Sequence, residues 1–282
     1  MTTLTDKYGN VITSGGIFEE KSMKVLFNCK PTVDIASINM TELEYTLERA
    51  FDSHLDIIYS RNDYEYKEDE IDMVCSVGGD GTYLTSAKYA LYYNVPIIGV
   101  FNGTLGFLTE IDLDGLFDLD VSQYFYEYRM VVEWKGKPFL NDFVIKNSLN
   151  GKMMTYEIYV DDVKIGKFNG DGCIISTPMG STAYNLSMNG PILDPENNTE
   201  SLIINSMGTH TIFNRPLIVN GSKITLVPTY DCIIFIDGQD SGVGKQGEKI
   251  ELEINRERRL KLLKFTKKSF YDVLSKKLHW NS

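Results

Sequence analysis

The run Val77-Gly78-Gly79-Asp80-Gly81-Thr82 constrains this chain more than any other stretch, because it sets glycines and a carboxylate between an apolar segment and a helix-like one. It reads as a strand, a tight turn and a helix start. Glycines let backbone N–H groups come close to a phosphate, and the positive end of the following helix dipole falls on the same spot. Asp80 is a poor pure anion binder, since its carboxylate repels phosphate. It reads instead as chemistry: a base for a sugar hydroxyl, or a ligand for the metal that accompanies polyphosphate. Gly-Asp-Gly is also ordinary turn chemistry. On spacing alone the tight turn and the phosphate site stand level.

The surroundings of the loop have an α/β texture. Residues 1–20 are polar and glycine-bearing and read as a loosely ordered, flexible extension. Lys24 to Asn28 and Ile71 to Val77 read as short buried strands, joined through a helix opened by the capping box Thr41-x-x-Glu44, with Leu43, Leu47, Ala50 and Phe51 on one face. Thr82 to Tyr93 is helix-like, and Ile97 to Phe101 is a third apolar run without alternation, as in a parallel strand covered on both faces. The pattern predicts an α/β N-terminal domain over 21–115, with an open, mostly parallel sheet whose ligands sit beyond the carboxyl ends of the strands. Both Gly78-Gly79-Asp80 and Asn102-Gly103 fall at such ends. The acidic connection from Asp63 to Asp72 reads as a solvated loop, with a flap over the site as the sharper alternative.

After Phe117 the texture changes. Tyr124 to Glu133, Phe139 to Lys146, Tyr156 to Val160, Cys173 to Ser176, Ile224 to Val227 and Ile233 to Ile236 are short β-rich runs separated by turn residues. They predict a β-rich, sandwich-like domain over 116–262, interrupted by one helix-like stretch from Gly180 to Met188. Phe270, Val273, Leu274 and Leu278 then recur at helical spacing, so residues 263–282 are expected to form a C-terminal helix packing on the α/β domain.

Charge limits the partners. A net charge of -11 argues against nucleic acid and against anionic membrane surfaces. Any anionic ligand then has to be held by backbone dipoles or a few local cations. Cys29, Cys75, Cys173 and Cys232 are scattered, without a CxxC pair or a nearby His, and read as reduced core thiols. With no membrane-length apolar stretch and no signal-peptide pattern, the expected compartment is the cytoplasm.

Three further clusters bear on function. Asn102-Gly103-Thr104-Leu105-Gly106-Phe107-Leu108 follows a strand; its glycines allow backbone approach and Phe107 offers a ring face, though an ordinary loop would look the same. Leu140-Asn141-Asp142 sets an amide beside a carboxylate in an apolar strand, where uncompensated burial costs on the order of 1 to 3 kcal/mol each. Ligand binding and strand-end turn chemistry are balanced explanations. Gly170-Asp171-Gly172 and then Thr177-Pro178-Met179-Gly180-Ser181-Thr182-Ala183-Tyr184-Asn185-Leu186-Ser187 suit a helix start that presents N–H donors, with Tyr184 and Ser187 one turn apart.

Taken in order, these segments together with Asn214-Arg215-Pro216 and Asp237-Gly238-Gln239 resemble the NAD kinase family from about Ile71 to Gln239, and Lys277-Leu278-His279-Trp280 looks like the family's ending. The Gly-Gly-Asp-Gly-Thr loop is shared with diacylglycerol, sphingosine and 6-phosphofructo kinases. The Thr-Pro-x-Gly-Ser-Thr-Ala-Tyr run is what points to NAD.

The resemblance implies phosphoryl transfer from ATP or polyphosphate, with Mg²⁺ or another divalent cation, to the 2′-hydroxyl of the adenosine ribose of NAD, in a homotetramer or homodimer. Carried over by position, Asp80 is the base or ribose-orienting residue, with Gly79, Gly81 and Thr82 around it. Asn102, Phe107 and Leu108 form the second loop, with Phe107 flanking the adenine. Asn141 and Asp142 hold ribose hydroxyls, Asp171 sits at the nicotinamide end, and Thr182, Ala183, Tyr184 and Ser187 line the adenine and ribose pocket. Asp142 as a neighbouring carboxylate would raise the proton affinity of Asp80. The chain departs from the family pattern at Phe168-Asn169-Gly170, which leaves the choice between NAD and NADH open, and at Met179 and Asn189, where a loop tolerates the change. It has no Walker-type lysine, so Lys24, Lys88 and Arg215 are the candidates for the donor phosphates. A lipid or sugar kinase of the same superfamily, or a non-catalytic dinucleotide sensor, are the alternatives. The lipid kinase lacks its basic membrane-facing patch here, and a sensor would have no use for Asp80.

Overall fold

The computed structural model describes residues 4–5, 11–12, 22–67, 70–148, 153–196, 200–209 and 215–280. Apart from the paired strands Leu4–Thr5 and Val11–Ile12, the extension expected over 1–20 lies outside these residues, as does Asn214.

The α/β part forms as its apolar runs require. Strands Ser22–Cys29, His54–Ser60, Met73–Val77 and Ile97–Phe101 are all parallel, with Ser22–Cys29 between His54–Ser60 and Met73–Val77, and Ile97–Phe101 on the far side. Met73–Val77 and Ile97–Phe101 are buried at every position, which explains their lack of alternation. Strand His54–Ser60 escaped the sequence reading because it lies at the sheet edge, where exposed His54, Asp56 and Tyr59 break up the apolar pattern.

Helix α1 (Ile38–Phe51) begins before the predicted capping box. Its N-cap is Ser37, whose side chain accepts from the Met40 N–H at 3.4 Å, while Thr41 is an exposed residue inside the helix. Met40 stands where a capping box would have Glu or Gln, so the true start carries only half of that signature. Helix α2 (Asp80–Tyr93) starts on the glycine loop itself.

The β-rich part is a sandwich. One sheet is antiparallel and six-stranded, in the order Leu217–Val219, Leu202–Met207, Gly172–Ser176, Asp142–Asn147, Cys232–Ile236 and Gln239–Gly244. Its inner residues Phe143, Ile145, Cys173, Ile175 and Ile234 pack against Tyr156, Ile158, Leu226 and Leu252 of the other sheet. That second sheet is continuous with the α/β sheet. The long strand Ile250–Lys264 pairs antiparallel with Lys223–Pro228 near its start and parallel with Ile97–Phe101 near its end, at Leu262 and Ile97. Along the way it pairs with Phe125–Trp134, with a register shift between Asn255 and Arg259.

Two local departures position the site. The predicted run Phe139 to Lys146 is two strands, Lys137–Phe139 and Asp142–Asn147, with Leu140 and Asn141 leaving the ladder between them. The predicted helix from Gly180 to Met188 is a 3₁₀ turn, Met179–Thr182, followed by the short α3 (Tyr184–Ser187). The C-terminal α4 (Phe270–Lys277) buries Phe270 and Leu274, and the Lys277 ammonium donates to the Leu105 carbonyl at 2.6 Å. It therefore packs on the loop that follows Ile97–Phe101. All four cysteines are free and buried. Among the described residues no helix is long and apolar enough to cross a membrane.

The start of α1 is testable by urea denaturation. Ser37→Ala should destabilise by about 1 kcal/mol through loss of the cap, whereas Thr41→Ala should stay within about 0.5 kcal/mol of the parent.

Candidate active site

Two clusters make up the site, and each has a carboxylate that ties backbone together. In the first, Gly78 donates its N–H to the Val100 carbonyl at 2.8 Å, and a Cβ there would fall 2.7 Å from the Thr82 hydroxyl oxygen. Gly79 is the N-cap of α2, and Thr82 is buried beneath the turn. A Cβ on Gly79 or Gly81 would meet nothing within 4 Å, and neither has a positive φ. Glycine at these two positions serves neither packing nor conformation, and leaves the space before the helix N-terminus clear.

Asp80 is held by the second glycine-bearing segment. Its Oδ2 accepts from the Phe107 N–H and its Oδ1 from the Leu108 N–H, each at 3.0 Å. The two glycine-bearing segments of the sequence are thus one unit, the second closed over the first by Asp80. Gly106 is required beneath it, because a Cβ there would lie 2.1 Å from Asp80 Oδ1. Phe107 is half-buried with the Lys277 ammonium 5.5 Å from its ring centroid, while Asn102 is exposed at the strand end.

The second cluster is built by Asp237. Asp237 and Gly238 have φ of 48° and 76° and make the tight turn between Cys232–Ile236 and Gln239–Gly244. From there the Asp237 carboxylate accepts N–H groups of Leu140 at 3.2 Å, Asn141 at 2.8 Å and Asp142 at 3.2 Å. This replaces the ladder partners that Leu140 and Asn141 give up. The Thr177–Ala183 turn then lies on the same backbone. The Thr177 N–H donates to the Asn141 carbonyl at 2.9 Å, and its hydroxyl donates to Leu140 and accepts from the Gly180 N–H. A Cβ on Gly180 would fall 1.9 Å from the Asn141 carbonyl oxygen. Ser181 and Asn185 are buried fasteners: Ser181 bonds both backbone groups of Leu193, and Asn185 bonds the carbonyls of Ser181 and Pro191.

Asn141, Asp142, Ala183 and Tyr184 consequently line one cavity of about 320 Å³, together with Lys146, Phe235 and the Asp237-Gly238 turn. Asn141 Oδ1 is buried there with no hydrogen-bond partner among the described residues. Burial first, then the neighbouring Asp237 carboxylate, pushes the Asp142 acid up to about 7, against the opposing charge of Lys146. Burial also raises Asp237, against its backbone donors and Lys88. The carboxylate that presses on Asp142 is Asp237, which corrects the expected Asp80–Asp142 pair: Asp80 is committed to the Phe107 and Leu108 backbone.

The remaining expected residues are spread around this core. Thr182 lines a separate small cavity of about 50 Å³ with Phe107, Leu108 and Met179, so the Met179–Ala183 turn is the seam between the two clusters. Ser187 is exposed and donates to the Tyr184 carbonyl at 2.7 Å, so it does not line the cavity. Asp171 is exposed at the opposite end of strand Gly172–Ser176 from Thr177, roughly 20 Å away at the rise of an extended strand. Lys24 lies at the start of its strand, beside Asp72 and at the far end from the glycine loop, so its candidacy for donor phosphates fails on geometry. The Lys88 ammonium donates to Gln239 at 2.9 Å.

Sequence reading missed Asp237 as the brace, and Lys146 and Phe235 as cavity walls. A signal was present: in the strand Asp142–Asn147, Asp142, Val144 and Lys146 alternate onto one face, and Phe235 is the register partner of Val144. Among the described residues no group of three or more His, Cys, Asp or Glu forms a metal cage. A Mg²⁺ ion held mainly by substrate phosphates and water needs only one or two protein oxygens, and Asp142 and the unpartnered Asn141 Oδ1 are of that kind.

A glycine loop at a helix start beyond a parallel sheet, joined to a sandwich cavity lined by carboxylate, amide and aromatic groups, defines a nucleotide-handling α/β protein. Residues 17–119 match the ATP-NAD kinase N-terminal domain and residues 140–263 the ATP-NAD kinase C-terminal domain. The chain belongs to the NAD kinase family. It is 35% identical over 238 residues to the NAD kinase of Geotalea daltonii, covering 77% of this chain and 83% of that one. It is 34% identical over 244 residues to the NAD kinase of Fusobacterium nucleatum, covering 80% and 90%. Its fold is that of an NAD kinase from Archaeoglobus fulgidus in complex with ATP (22% identity, TM-score 0.69, 90% of this chain and 98% of that chain). Yeast NADH kinase complexed with NADH also shares the fold (18% identity, TM-score 0.73, 94% and 89%).

Two measurements test the site as built. Gly180→Ala should cost at least about 1–3 kcal/mol in thermal or urea unfolding by overpacking against Asn141, whereas Gly81→Ala should keep or gain up to about 1 kcal/mol while losing activity, because only ligand room is filled. Asp142 sets a pH dependence. Its acid is raised in the folded state, so the native protein binds the extra proton between the ordinary carboxylate range and about 7, and stability falls as pH rises through that window. Asp142→Asn should flatten this part of the stability–pH curve.

Proposed function

We infer that the chain is an NAD kinase, transferring a phosphoryl group from ATP to the 2′-hydroxyl of the adenosine ribose of NAD and releasing NADP. The observation that carries this reading is the family match across both halves of the chain, over residues 17–119 and 140–263. The cavity agrees with it: Asn141 Oδ1 needs a donor such as a sugar hydroxyl, and Tyr184 offers a ring beside it.

In this reading Asn141 and Asp142 take ribose hydroxyls, Ala183 and Tyr184 line the nucleoside pocket, and Thr182 and Phe107 contact the ligand from the adjoining small cavity. Asp171 lies toward the nicotinamide end, one strand length from Asp142. Asp80 has a fixed carboxylate, each oxygen of which already accepts one backbone N–H. Each oxygen has about two acceptor positions, so one remains to receive a hydroxyl hydrogen bond. Asp80 thus orients the acceptor hydroxyl and takes up its proton as the new O–P bond forms and the bond from the γ-phosphorus to the bridging oxygen breaks, with ADP as the leaving group. Asp142 and Asn141 Oδ1 would be the protein oxygens for a divalent cation brought with ATP, which would supply neutralisation of phosphate charge; the protein's part is positioning. The reading further takes the protein to be a cytoplasmic homotetramer or homodimer, with an α/β unit over 21–115, an NAD-binding unit over 116–262 and a terminal segment over 263–282. The free buried thiols agree with a reducing compartment.

NADP formation from NAD, Mg²⁺ and ATP, followed by enzymatic cycling of the product, is the direct assay, with polyphosphate as the second donor. No product with either donor would refute the kinase reading. Asp80→Asn should lower kcat by about 10² to 10⁴-fold, the usual range for a positioned acid or base; a loss under about tenfold would remove Asp80 from the proton's path.

A further inference from the structure

The cavity contains a cation that no motif singles out. Its walls carry two carboxylates, Asp142 and Asp237, and, among the described residues, a single cation, Lys146. The Lys146 ammonium sits 4.8 Å from the centroid of the Tyr184 ring and 5.2 Å from that of Phe235. Among the described residues no carboxylate lies within ion-pair distance of it. Its charge is held in place by ring faces and is not spent in a salt bridge.

This arrangement suits an anion that arrives with aromatic rings. The chain has a net charge of -11 and the cavity walls are themselves acidic, so an anionic ligand placed there is repelled unless a cation meets it. Lys146 is four residues from Asp142 on the same face of one strand, roughly 13 Å along it, and its stem reaches back over Tyr184 into the cavity. For a dinucleotide with a ribose at Asn141 and Asp142, Lys146 is the one cation among the described lining residues that can meet the charge of its diphosphate. We propose that Lys146 holds the diphosphate of the dinucleotide, turning from the ring faces of Tyr184 and Phe235 to the phosphate oxygens as the ligand enters. This rests on the NAD kinase reading of the cavity, and adds a ligand-contacting residue to it.

Equilibrium binding without a phosphoryl donor tests the assignment apart from turnover. Calorimetric titration of NAD and of adenosine, which lacks the diphosphate, would be run on the parent, Lys146→Met and Lys146→Arg. Loss of one charge-assisted contact should weaken NAD binding to Lys146→Met by about 10- to 100-fold, leave adenosine within about twofold, and be largely restored by Lys146→Arg. Lys146→Gln should repeat the pattern if Met disturbs the strand. Unchanged NAD affinity would overturn the proposal, and so would equal weakening of NAD and adenosine, which would make Lys146 only a support for the rings. A parent protein that makes NADP while Lys146→Met binds NAD normally sinks this proposal alone. A parent that makes no NADP yet shows the predicted binding pattern sinks the kinase reading alone.

Discussion

The cavity of this protein depends on one carboxylate that braces its backbone. Asp237 reaches back from a left-handed turn and takes the N–H groups of Leu140, Asn141 and Asp142, allowing the chain to leave a β-ladder without orphaning its donors. The backbone platform this creates is what the Thr177–Ala183 turn packs on, and what brings Asn141 and Asp142 to the cavity. Asp80 does the same for the α/β half, closing the Asn102–Leu108 loop over the glycine turn. Two acids that a sequence presents as equivalent polar residues in glycine turns are the fasteners of the two halves of the site.

Much of the fold was legible because its central elements obey a single rule each. Met73–Val77 and Ile97–Phe101 are buried on both faces and read as unbroken apolar runs, and α2 begins where the glycines end. Elements governed by their neighbours were not legible. His54–Ser60 is an edge strand with a mixed pattern, α1 starts on a lone serine, and Phe139 to Lys146 splits because of an acid almost a hundred residues away. The site divides the same way. The motifs named Asn141, Asp142, Ala183 and Tyr184, which do share a cavity, but the like-charge partner of Asp142 was assigned to Asp80 when the strand register puts Asp237 there. No local pattern could show that, since the pairing is made by the turn after Cys232–Ile236.

The electrostatic problem posed by an acidic protein with anionic substrates is answered locally. Backbone N–H groups at the head of α2 and open space at Gly79 and Gly81 serve one side. On the other side the acids are kept from adding their full charge: Asp237 is wrapped in donors, and Asp142 is buried so that its proton leaves only near neutrality. The field in the cavity is therefore less hostile to a dinucleotide than a count of carboxylates suggests.

The strand Ile250–Lys264 belongs to the sandwich at one end and to the parallel sheet at the other, and the Arg258 guanidinium on it donates to the Leu91 carbonyl near the end of α2. One strand is therefore shared by the two halves. A relative movement of the halves would have to be taken up within this strand, at the single register pair Leu262–Ile97 or at the register shift between Asn255 and Arg259.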